Sequence, residues 1–336
     1  MQIIIPMAGK GKRMRPHTLT TAKPLIPVGG KPIVQRLVED ITKVCGEKVE
    51  EIAFVIAPDF GKDVENDLIS VAKSQGAKGS IHYQSEALGT AHAIMCAKEA
   101  IKGKTVVAFA DTLFKADFVM DTKQEGVIWV QQIKDPRQFG VVKLDTQGVI
   151  TDFIEKPQEF VSDLAIIGIY YFKDGDNLKK ELQFLLDNKI TEKGEYQLTN
   201  ALDNMRKKGV KFTPGQVTEW LDCGNKDATV YTNQRVLEFD ANKKELKGKG
   251  IKITNSTIVE PCYIGDEVEI VNSVIGPHVS IGANSNINNS LISNSILQKA
   301  TKINNSNITN SMIGTGAQVN GKSADLSLSD YTQIIV

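Results

Sequence analysis

The segment Ala8–Met14 concentrates groups that bind anions. It reads A-G-K-G-K-R-M and follows the apolar run Ile3–Ile5 after a single proline. Glycines let backbone N–H groups approach an anion closely, and lysine and arginine supply the opposite charge. The sequence therefore predicts an anion-binding turn directly after a buried strand.

Two common phosphate-binding motifs do not account for this turn. A P-loop requires G-x-x-x-x-G-K-[ST], and no serine or threonine follows a G-K pair at the right distance. A dinucleotide fingerprint requires G-x-G-x-x-G; Gly9 and Gly11 fit, but Met14 stands at the third position and Lys31–Val34 contain no acidic residue for a ribose. The first motif is absent and the second is incomplete.

Asp111 follows the apolar segment V-V-A-F-A and is a candidate metal ligand. Mg²⁺ prefers carboxylate oxygens, takes few of them from the protein and keeps several waters. The four histidines (His17, His82, His92 and His278) show no metal-ligand spacing, and we assign them no role.

Composition excludes several classes of partner. Lys plus Arg and Asp plus Glu both number 40, so the surplus of cations that binds nucleic acid is missing. The N-terminus has no basic leader region, and nowhere do about 18 apolar residues run together, as a membrane helix requires. We expect a cytoplasmic protein with no membrane partner, whose four separated cysteines are reduced.

Short apolar runs alternate with helical patterns as far as Ala110. Apolar runs stand at residues 3–5, 52–57, 81–84 and 106–110, and helical spacing is seen from Ile33 to Val44, over about 60–75 and over 89–97. Apolar strands separated by helices predict an α/β fold with a doubly wound, mostly parallel sheet covered on both faces. In such sheets ligands bind beyond the carboxyl ends of the strands, where the turn, Gln84 and Asp111 all fall. Residues 127–172 are strand-rich and are expected to extend one end of the sheet.

The sequence pattern changes near residue 243, after which an internal repeat begins. Asn-Ser-x-Ile/Leu recurs, its first three copies 17 residues apart, and isoleucines recur mostly at every sixth place; the motif begins at Asn255, Asn272, Asn289, Asn294, Asn305 and Asn310. Such a period suits three-sided coils whose aliphatic side chains stack inward. We predict a left-handed parallel β-helix of about five coils over residues 250–325, after a domain of residues 1–243.

The segment Ala8–Val28 (A-G-K-G-K-R-M-R-P-H-T-L-T-T-A-K-P-L-I-P-V) resembles the signature of the sugar-1-phosphate nucleotidyltransferases. The resemblance extends over roughly residues 1–240. Further matching segments are Q-S-E-A-L-G-T-A (84–91), F-A-D-T-L-F (109–114), F-G-V-V (139–142), I-E-K-P (154–157), G-E-Y-Q-L-T (194–199) and W-L-D-C-G (220–224). Hexapeptide β-helix tails are frequent in that family, so both parts of the chain support one assignment.

The resemblance implies that an NTP and a sugar 1-phosphate give an NDP-sugar and pyrophosphate. The attacking phosphate is already ionised at pH 7, its second pKa being about 6, so no histidine base is needed. By resemblance, Arg13 clamps the β- and γ-phosphates and Lys23 neutralises the phosphates at the reaction centre.

The remaining roles are also implied by the resemblance. Mg²⁺ is held by Asp111 and Asp222. The nucleotide is bound by Ala8, Gly9, Gly11, Gln84, Gly89 and Thr90, and the sugar phosphate by Gly140, Glu155 and Lys156. One departure is Lys12, which stands where the family usually has threonine or serine, so we carry over no hydroxyl contact there.

The sequence leaves the substrate open. We expect dTTP or UTP with glucose 1-phosphate, because a glutamine matches the edge of thymine or uracil. The alternatives are UTP with N-acetylglucosamine 1-phosphate, GTP with mannose 1-phosphate, or a regulatory homologue that binds nucleotide sugar without turnover. The tail has one histidine, His278, so we expect it to serve as a scaffold or a contact of a homo-oligomer instead of an acyltransferase.

Overall fold

The computed structural model describes residues 1–321 and 325–335 and divides into two compact units. Unit 1 is formed by Met1–Gly9 and Gln35–Trp220, and unit 2 by Lys10–Val34 and the described residues of Leu221–Val336. The boundary predicted between residues 243 and 250 stays a prediction. Residues 322–324 of the predicted β-helix lie outside the described residues.

Strands and helices alternate over the first 240 residues. The strands are β1 (Gln2–Pro6), β2 (Pro27–Val28), β3 (Lys31–Pro32), β4 (Glu51–Ile56), β5 (Lys78–Tyr83), β6 (Thr105–Ala108), β7 (Thr112–Lys115), β8 (Gly126–Gln132), β9 (Val141–Leu144), β10 (Ile150–Ile154), β11 (Leu164–Phe172), β12 (Phe212–Gln216) and β13 (Glu219–Asp222). The helices are α1 (Ile33–Cys45), α2 (Lys62–Ser74), α3 (Thr90–Cys96), α4 (Gly175–Asp187), α5 (Leu198–Lys207) and α6 (Lys226–Asp240).

Unit 1 is built on a nine-stranded mixed sheet of order β10-β9-β11-β6-β1-β4-β5, with β8 between β11 and β12. The central strand β1 is parallel to β4 and β6, and β11 is antiparallel to β6. Every residue of β1 and β6 is buried, which is why apolar residues predominate in both after a polar first residue, Gln2 or Thr105. The predicted doubly wound sheet is confirmed, and the strands from 127–172 extend one end of it.

The strand order reverses beside β1. The chain passes from β1 to β4 and β5 on one side and then returns to β6 on the other. The loops after β1 and β6 therefore leave the same edge of the sheet, and Ala110 N donates to Pro6 O at 3.4 Å between them. Such a switch point is where open α/β sheets bind ligands.

The C-terminal part of unit 2 consists of three parallel sheets of very short strands. In the described residues they are β14 (Lys252–Thr254), β15 (Thr257–Ile258), β16 (Cys262–Ile264), β17 (Glu269–Val271), β18 (Val274–Ile275), β19 (Val279–Ile281), β20 (Asn286–Asn288), β21 (Leu291–Ile292), β22 (Ser295–Leu297), β23 (Lys302–Asn304), β24 (Asn307–Ile308), β25 (Met312–Ile313), β26 (Gln318–Asn320), β27 (Ser327–Leu328) and β28 (Gln333–Ile335). From β14 to β23, each strand pairs with the third strand after it, as in β14-β17-β20-β23-β26, and among the described residues β26 then pairs with β28. This stacking is consistent with the predicted left-handed β-helix.

The repeat has a clear physical basis in its asparagines and isoleucines. All six motif asparagines have positive φ, between 40° and 51°. Asparagine tolerates this left-handed conformation better than most residues, so it can turn the corner of a coil. The isoleucines between the corners, such as Ile264, Ile270, Ile281 and Ile287, are at most 1% exposed and form the core of the coils.

The motif serines form a buried hydrogen-bonded column. Ser273 N donates to Ser256 Oγ at 2.9 Å, Ser290 N to Ser273 Oγ at 3.0 Å, and Ser306 N to Ser290 Oγ at 3.2 Å. Each hydroxyl thus satisfies a backbone N–H of the next coil, which explains why serine follows asparagine in the motif.

Replacing Ser290 by alanine is expected to destabilise the β-helix by about 1–3 kcal/mol, because the Ser306 N–H loses its acceptor in a buried position. The measurement is chemical denaturation of the full chain, with hydrogen exchange to locate the loss. Ser293→Ala is the control, since that hydroxyl pairs with Thr309 Oγ1 in an exposed setting. Equal stability of the two variants would contradict the column.

Two features concern the whole chain. No helix in residues 1–321 or 325–335 is long and apolar enough to cross a bilayer. The four cysteines are free, as predicted. Burial raises the pKa of Cys45 to about 12 and that of Cys262 to about 11, so both thiols are protonated at neutral pH.

Candidate functional site

In unit 1, the loops after β1 and β6 carry Ala8, Gly9 and Asp111. A Cβ on Gly9 would meet no atom within 4 Å, so the space beside its backbone is open. Asp111 is half-buried and comes three residues after β6. The hydrogen bond between Ala110 and Pro6 brings these two loops together at the switch point.

In unit 2, residues 10–14, the larger part of the predicted anion-binding turn, have the geometry that Gly11 predicts. Gly11 has φ 56° and is the N-cap of a short 3-10 turn, Lys12–Met14, whose Arg13 side chain is exposed. Thr18 Oγ1 donates to Gly11 O at 2.8 Å. A Cβ on Gly11 would lie 2.9 Å from Thr18 Cγ2 and 3.1 Å from Lys23 Cβ, so glycine is required.

Lys23 is a buried cation in unit 2. It opens a 3-10 turn, Lys23–Leu25, and only 8% of the residue is exposed. Buried lysines are rare unless they have a partner or a ligand. The burial shows that Lys23 is not a solvated surface lysine, and its role at the reaction centre stays a prediction.

The amide of Gln84 is oriented by two acceptors in unit 1. Its Nε2 donates to Gly89 O at 3.2 Å and to His92 Nδ1 at 3.1 Å. A carbonyl can only accept, so the nitrogen must face Gly89. Burial lowers the pKa of His92, which favours the neutral ring. The hydrogen bond from the amide then requires the tautomer protonated at Nε2, in which Nδ1 accepts. Both amide hydrogens are then used, and Oε1 is the group left to meet a ligand.

Gly89 and Thr90 have structural contacts that the sequence did not reveal. Gly89 has φ 111°, and a Cβ there would lie 2.5 Å from Tyr196 O. Thr90 Oγ1 donates to Gln197 Oε1 at 3.2 Å and accepts from Leu198 N at 2.9 Å. Thr90 therefore holds the start of α5 against the start of α3, and its nucleotide contact stays a prediction.

The predicted sugar-phosphate residues lie together in unit 1. A Cβ on Gly140 would stand 3.2 Å from Glu155 Oε2, so only glycine leaves that carboxylate its position without crowding. Glu155 Oε1 also pairs with Lys156 Nζ at 3.2 Å. Lys156 has φ 42°, a strained conformation for a residue with a side chain. Its backbone N donates to Phe139 O at 3.2 Å, which holds Lys156 beside the segment that precedes β9.

Asp111 and Glu155 share one neighbour, Tyr170. Burial, with the charges of Glu155 and then Asp111, raises the pKa of this tyrosine. Phe109 packs edge-on against Tyr170, with ring centroids 6.1 Å apart. That Asp111 and the candidate sugar-phosphate residues act in one site stays a prediction.

Two side chains in this region were not singled out from the sequence. Among the described residues, Thr199 Oγ1 and Trp220 Nε1 are buried without a hydrogen-bond partner. Thr199 Cγ2 lies 3.7 Å from the position of a Cβ on Gly140, and the Trp220 ring packs against Phe139 at 4.8 Å. Buried polar groups without partners are costly, so a bound water or a ligand would stabilise both atoms here. Both stand in motif segments, which was the signal available.

Asp222 is in unit 2, at the end of β13. Its backbone carbonyl accepts from Thr232 Oγ1 at 2.8 Å. A Cβ on Gly224 would lie 2.8 Å from Asp222 Oδ2, so the glycine makes room for the carboxylate. In the described parts of the chain, no group of three or more His, Cys, Asp or Glu side chains could hold a metal. A metal here would need oxygen ligands from a phosphate as well.

The predicted residues thus fall into two sets. Unit 1 contains Ala8, Gly9, Gln84, Gly89, Thr90, Asp111, Gly140, Glu155 and Lys156, and unit 2 contains Gly11, Arg13, Lys23 and Asp222. Within unit 1 the contacts connect Gln84 with Gly89, and Gly140 with Glu155 and Lys156. That both sets act on a single ligand stays a prediction.

The chain belongs to the nucleotidyl transferase family, whose sequence profile matches residues 2–238. It is 29% identical to the low-salt glycan biosynthesis nucleotidyltransferase Agl11 of Haloferax volcanii, covering 88% of this chain and 87% of the relative. It is 28% identical to a glucose-1-phosphate thymidylyltransferase of Streptomyces antibioticus, with the same coverage of 88% and 87%. These relatives place it among the sugar-1-phosphate nucleotidyltransferases.

Two further similarities agree with this assignment. The chain is 31% identical to the bifunctional protein GlmU of Methanocaldococcus jannaschii over 77% of its own length, and spans 60% of that relative. The fold is similar to a crystal structure of UDP-glucose pyrophosphorylase complexed with UDP-glucose, with a TM-score of 0.59 and 22% identity, covering 71% of this chain and 98% of that one. The latter supports the fold alone.

Proposed function

We propose that this protein transfers a nucleoside monophosphate from dTTP or UTP to a hexose 1-phosphate, with glucose 1-phosphate preferred. The observation that carries the sugar-phosphate half is the grouping of Glu155 and Lys156 at Gly140, next to the unpartnered hydroxyl of Thr199. A carboxylate accepts from sugar hydroxyls, an ammonium group pairs with a phosphate, and a buried hydroxyl is satisfied by the sugar.

The proposed chemistry needs positioning and charge neutralisation more than proton transfer. A phosphate oxygen of the sugar 1-phosphate attacks the α-phosphorus in line, and pyrophosphate leaves. Arg13 clamps the β- and γ-phosphates with its planar fork, and Lys23 stabilises the charge near the α-phosphate. Gly9 and Gly11 allow backbone N–H groups to reach the same anion.

Asp111 and Asp222 are the proposed Mg²⁺ ligands. Two carboxylates fit the donor set of Mg²⁺, which completes its shell with water and substrate phosphates. When bound, the ion would neutralise charge on the triphosphate. Asp111 stands at the switch point of the sheet, a position that supports this role.

The orientation of Gln84 supports the choice of base. Oε1 accepts, so it pairs with the N3–H of thymine or uracil, whereas N3 of cytosine and N1 of adenine are acceptors and would repel it. Guanine has an N1–H as well, so GTP stays an alternative. The similarity to GlmU keeps N-acetylglucosamine 1-phosphate as a second sugar candidate.

Replacing His92 by leucine is expected to reduce the preference for UTP or dTTP over CTP by about tenfold, because the Gln84 amide loses one of its two fixed partners. His92→Asn retains an acceptor near the Nδ1 position and should preserve most of the preference. The measurement is kcat/KM for each NTP at saturating sugar phosphate.

His82→Leu is the matched control for that series. His82 is also half-buried in unit 1, but its Nε2 pairs with Ser80 Oγ at 3.1 Å. Its loss should leave base preference unchanged. If His82→Leu and His92→Leu changed the preference equally, the orienting role of His92 would be wrong.

The overall proposal is tested with dTTP, UTP, GTP and CTP, each combined with the 1-phosphates of glucose, N-acetylglucosamine and mannose. Pyrophosphate release with Mg²⁺ is the readout. Turnover with dTTP or UTP and glucose 1-phosphate is expected to be fastest. Folded protein that binds an NDP-sugar without releasing pyrophosphate from any pair would favour the regulatory homologue.

We also propose a cytoplasmic location and a homo-oligomer. Both substrates are metabolites that a cell keeps in its cytoplasm, and outward-facing Val274 and Leu291 lie side by side on one sheet of the β-helix. Light scattering of the full chain measures the oligomeric state directly.

A further inference from the structure

The segment after the anion-binding turn is held by the last coil of the β-helix. We call Pro16–Thr20 the anchor segment and residues 325–335 the terminal coil; both belong to unit 2. His17 Nε2 lies 3.2 Å from Ser327 Oγ, and Ser329 Oγ donates to Pro16 O at 3.3 Å. His17 is only 1% exposed, so this residue of the anchor segment is buried, whereas Leu19 and Thr20 are exposed.

Asp330 is the strongest link between the two. Its Oδ2 accepts from Thr20 Oγ1 at 2.6 Å, and its Oδ1 accepts from Thr315 N at 2.6 Å in the preceding coil. One carboxylate therefore fastens the anchor segment to two successive coils. Hydrogen bonds to an ionised acceptor are roughly twice as strong as neutral ones.

The anchor segment in turn holds the anion-binding turn. Thr18, between the two anchored ends, donates to Gly11 O at 2.8 Å and packs against the glycine where a Cβ would stand. Thr229 on α6 contacts Met14 Sδ at 3.5 Å at the end of the same 3-10 turn. The path from Asp330 to Gly11 thus consists of the hydrogen bond to Thr20, two residues of chain back to Thr18, and the hydrogen bond from Thr18 to Gly11 O.

We propose that the terminal coil positions the anion-binding turn, so that triphosphate binding depends on the β-helix. Thr20 and Asp330 are positioning residues that act through Thr18 and Gly11. This inference rests on the proposed role of the turn in binding an NTP. It gives the tail a part in the transferase reaction itself, beyond a scaffold or a subunit contact.

Asp266 provides a matched control within the same β-helix. Its Oδ1 accepts from Lys249 N at 2.7 Å, as Asp330 Oδ1 accepts from Thr315 N. A Cβ on Gly248 would lie 2.5 Å from Asp266 Oδ1, and one on Gly314 would lie 2.5 Å from Asp330 Oδ1. The two aspartates therefore make the same corner, and only Asp330 is bonded to the anchor segment.

The test compares Asp330→Asn, Thr20→Val and Asp266→Asn in the full chain. For the first two, we expect the KM for the NTP to rise about tenfold, with the KM for the sugar 1-phosphate unchanged, because charge-assisted contacts that place the turn are weakened or lost. Hydrogen exchange of residues 10–20 should quicken in both. Asp266→Asn should change neither the KM for the NTP nor the hydrogen exchange of residues 10–20.

The outcomes separate this inference from the proposed function. Unchanged exchange of residues 10–20 in both Asp330→Asn and Thr20→Val would overturn the anchoring, as would an equal rise of both KM values. A wild-type chain that turns over no substrate pair would refute the proposed function. Calorimetry of the Mg²⁺ complexes of dTTP and UTP would then decide the inference. Weaker binding in both Asp330→Asn and Thr20→Val would support it, and binding equal to that of the wild type would overturn it.

Discussion

Arg13→Ala is expected to lower kcat by about 10²–10³, the loss seen when an oxyanion-stabilising donor is removed. Arg13 is exposed on the 3-10 turn that Gly11 begins, so its removal leaves no cavity in a core. The measurement is pyrophosphate release at saturating substrates, with the free energy of unfolding determined alongside. Stability should stay within about 0.5 kcal/mol of wild type, as for most surface substitutions.

Arg15→Ala is the control for Arg13. Arg15 is an exposed arginine two residues away, at the end of the same 3-10 turn. Its replacement by alanine removes the same charge. If both variants lost activity equally, general electrostatic attraction would explain the turn and a specific clamp would not. Arg13→Lys should recover only part of kcat, because an ammonium group cannot form the bidentate contact.

Asp111→Asn is expected to lower kcat/KM by about 10³, because charge stabilisation by a metal ion is worth several kcal/mol. The side chain keeps its size, so the fold should be preserved. A second readout is the affinity for Mn²⁺, measured by paramagnetic resonance in the presence of a non-hydrolysable NTP. That affinity should fall together with activity.

Asp117→Asn serves as the control for Asp111. Asp117 is exposed and pairs with Lys115 at 3.6 Å, and a surface pair of this kind is worth about 0–1 kcal/mol. Normal Mn²⁺ affinity in Asp111→Asn would remove Asp111 from the metal site, whatever its activity. Asp222→Asn, tested in parallel, asks whether the second carboxylate binds the same ion.

Local patterns made much of the fold predictable. The apolar run Ile3–Ile5 lies in β1, and the helical spacing from Ile33 to Val44 lies in α1. The isoleucines spaced six residues apart form the core of the coils. These signals are local because a strand or helix that buries one face must repeat apolar residues at its own period. The signature at Ala8–Val28 was equally readable, because glycines and cations must stand close in the chain to form one turn.

Sequence motifs selected the candidate site residues, which stay a prediction, and gave no information on their hydrogen bonds. The sequence identifies Gln84, but only the tertiary structure shows that Gly89 O and His92 Nδ1 take both of its amide hydrogens. Thr199 and Trp220 stand in recognisable segments, yet their lack of partners among the described residues is visible only after folding. Satisfaction of a polar group depends on every neighbour around it, and those neighbours are distant in sequence.

By itself, the sequence determined the family, the α/β sheet and the repeat, and it predicted the chemistry of the anion-binding turn. Tertiary structure alone decided that residues 10–34, which begin within this turn, share a compact unit with the β-helix, through contacts such as that of Thr20 with Asp330, 310 residues further along the chain. A single hydroxyl and a single carboxylate so far apart produce no recurring pattern in the sequence. They meet only because the last coil lies beside residues 16–20. The position of that coil depends on the packing of all the coils before it.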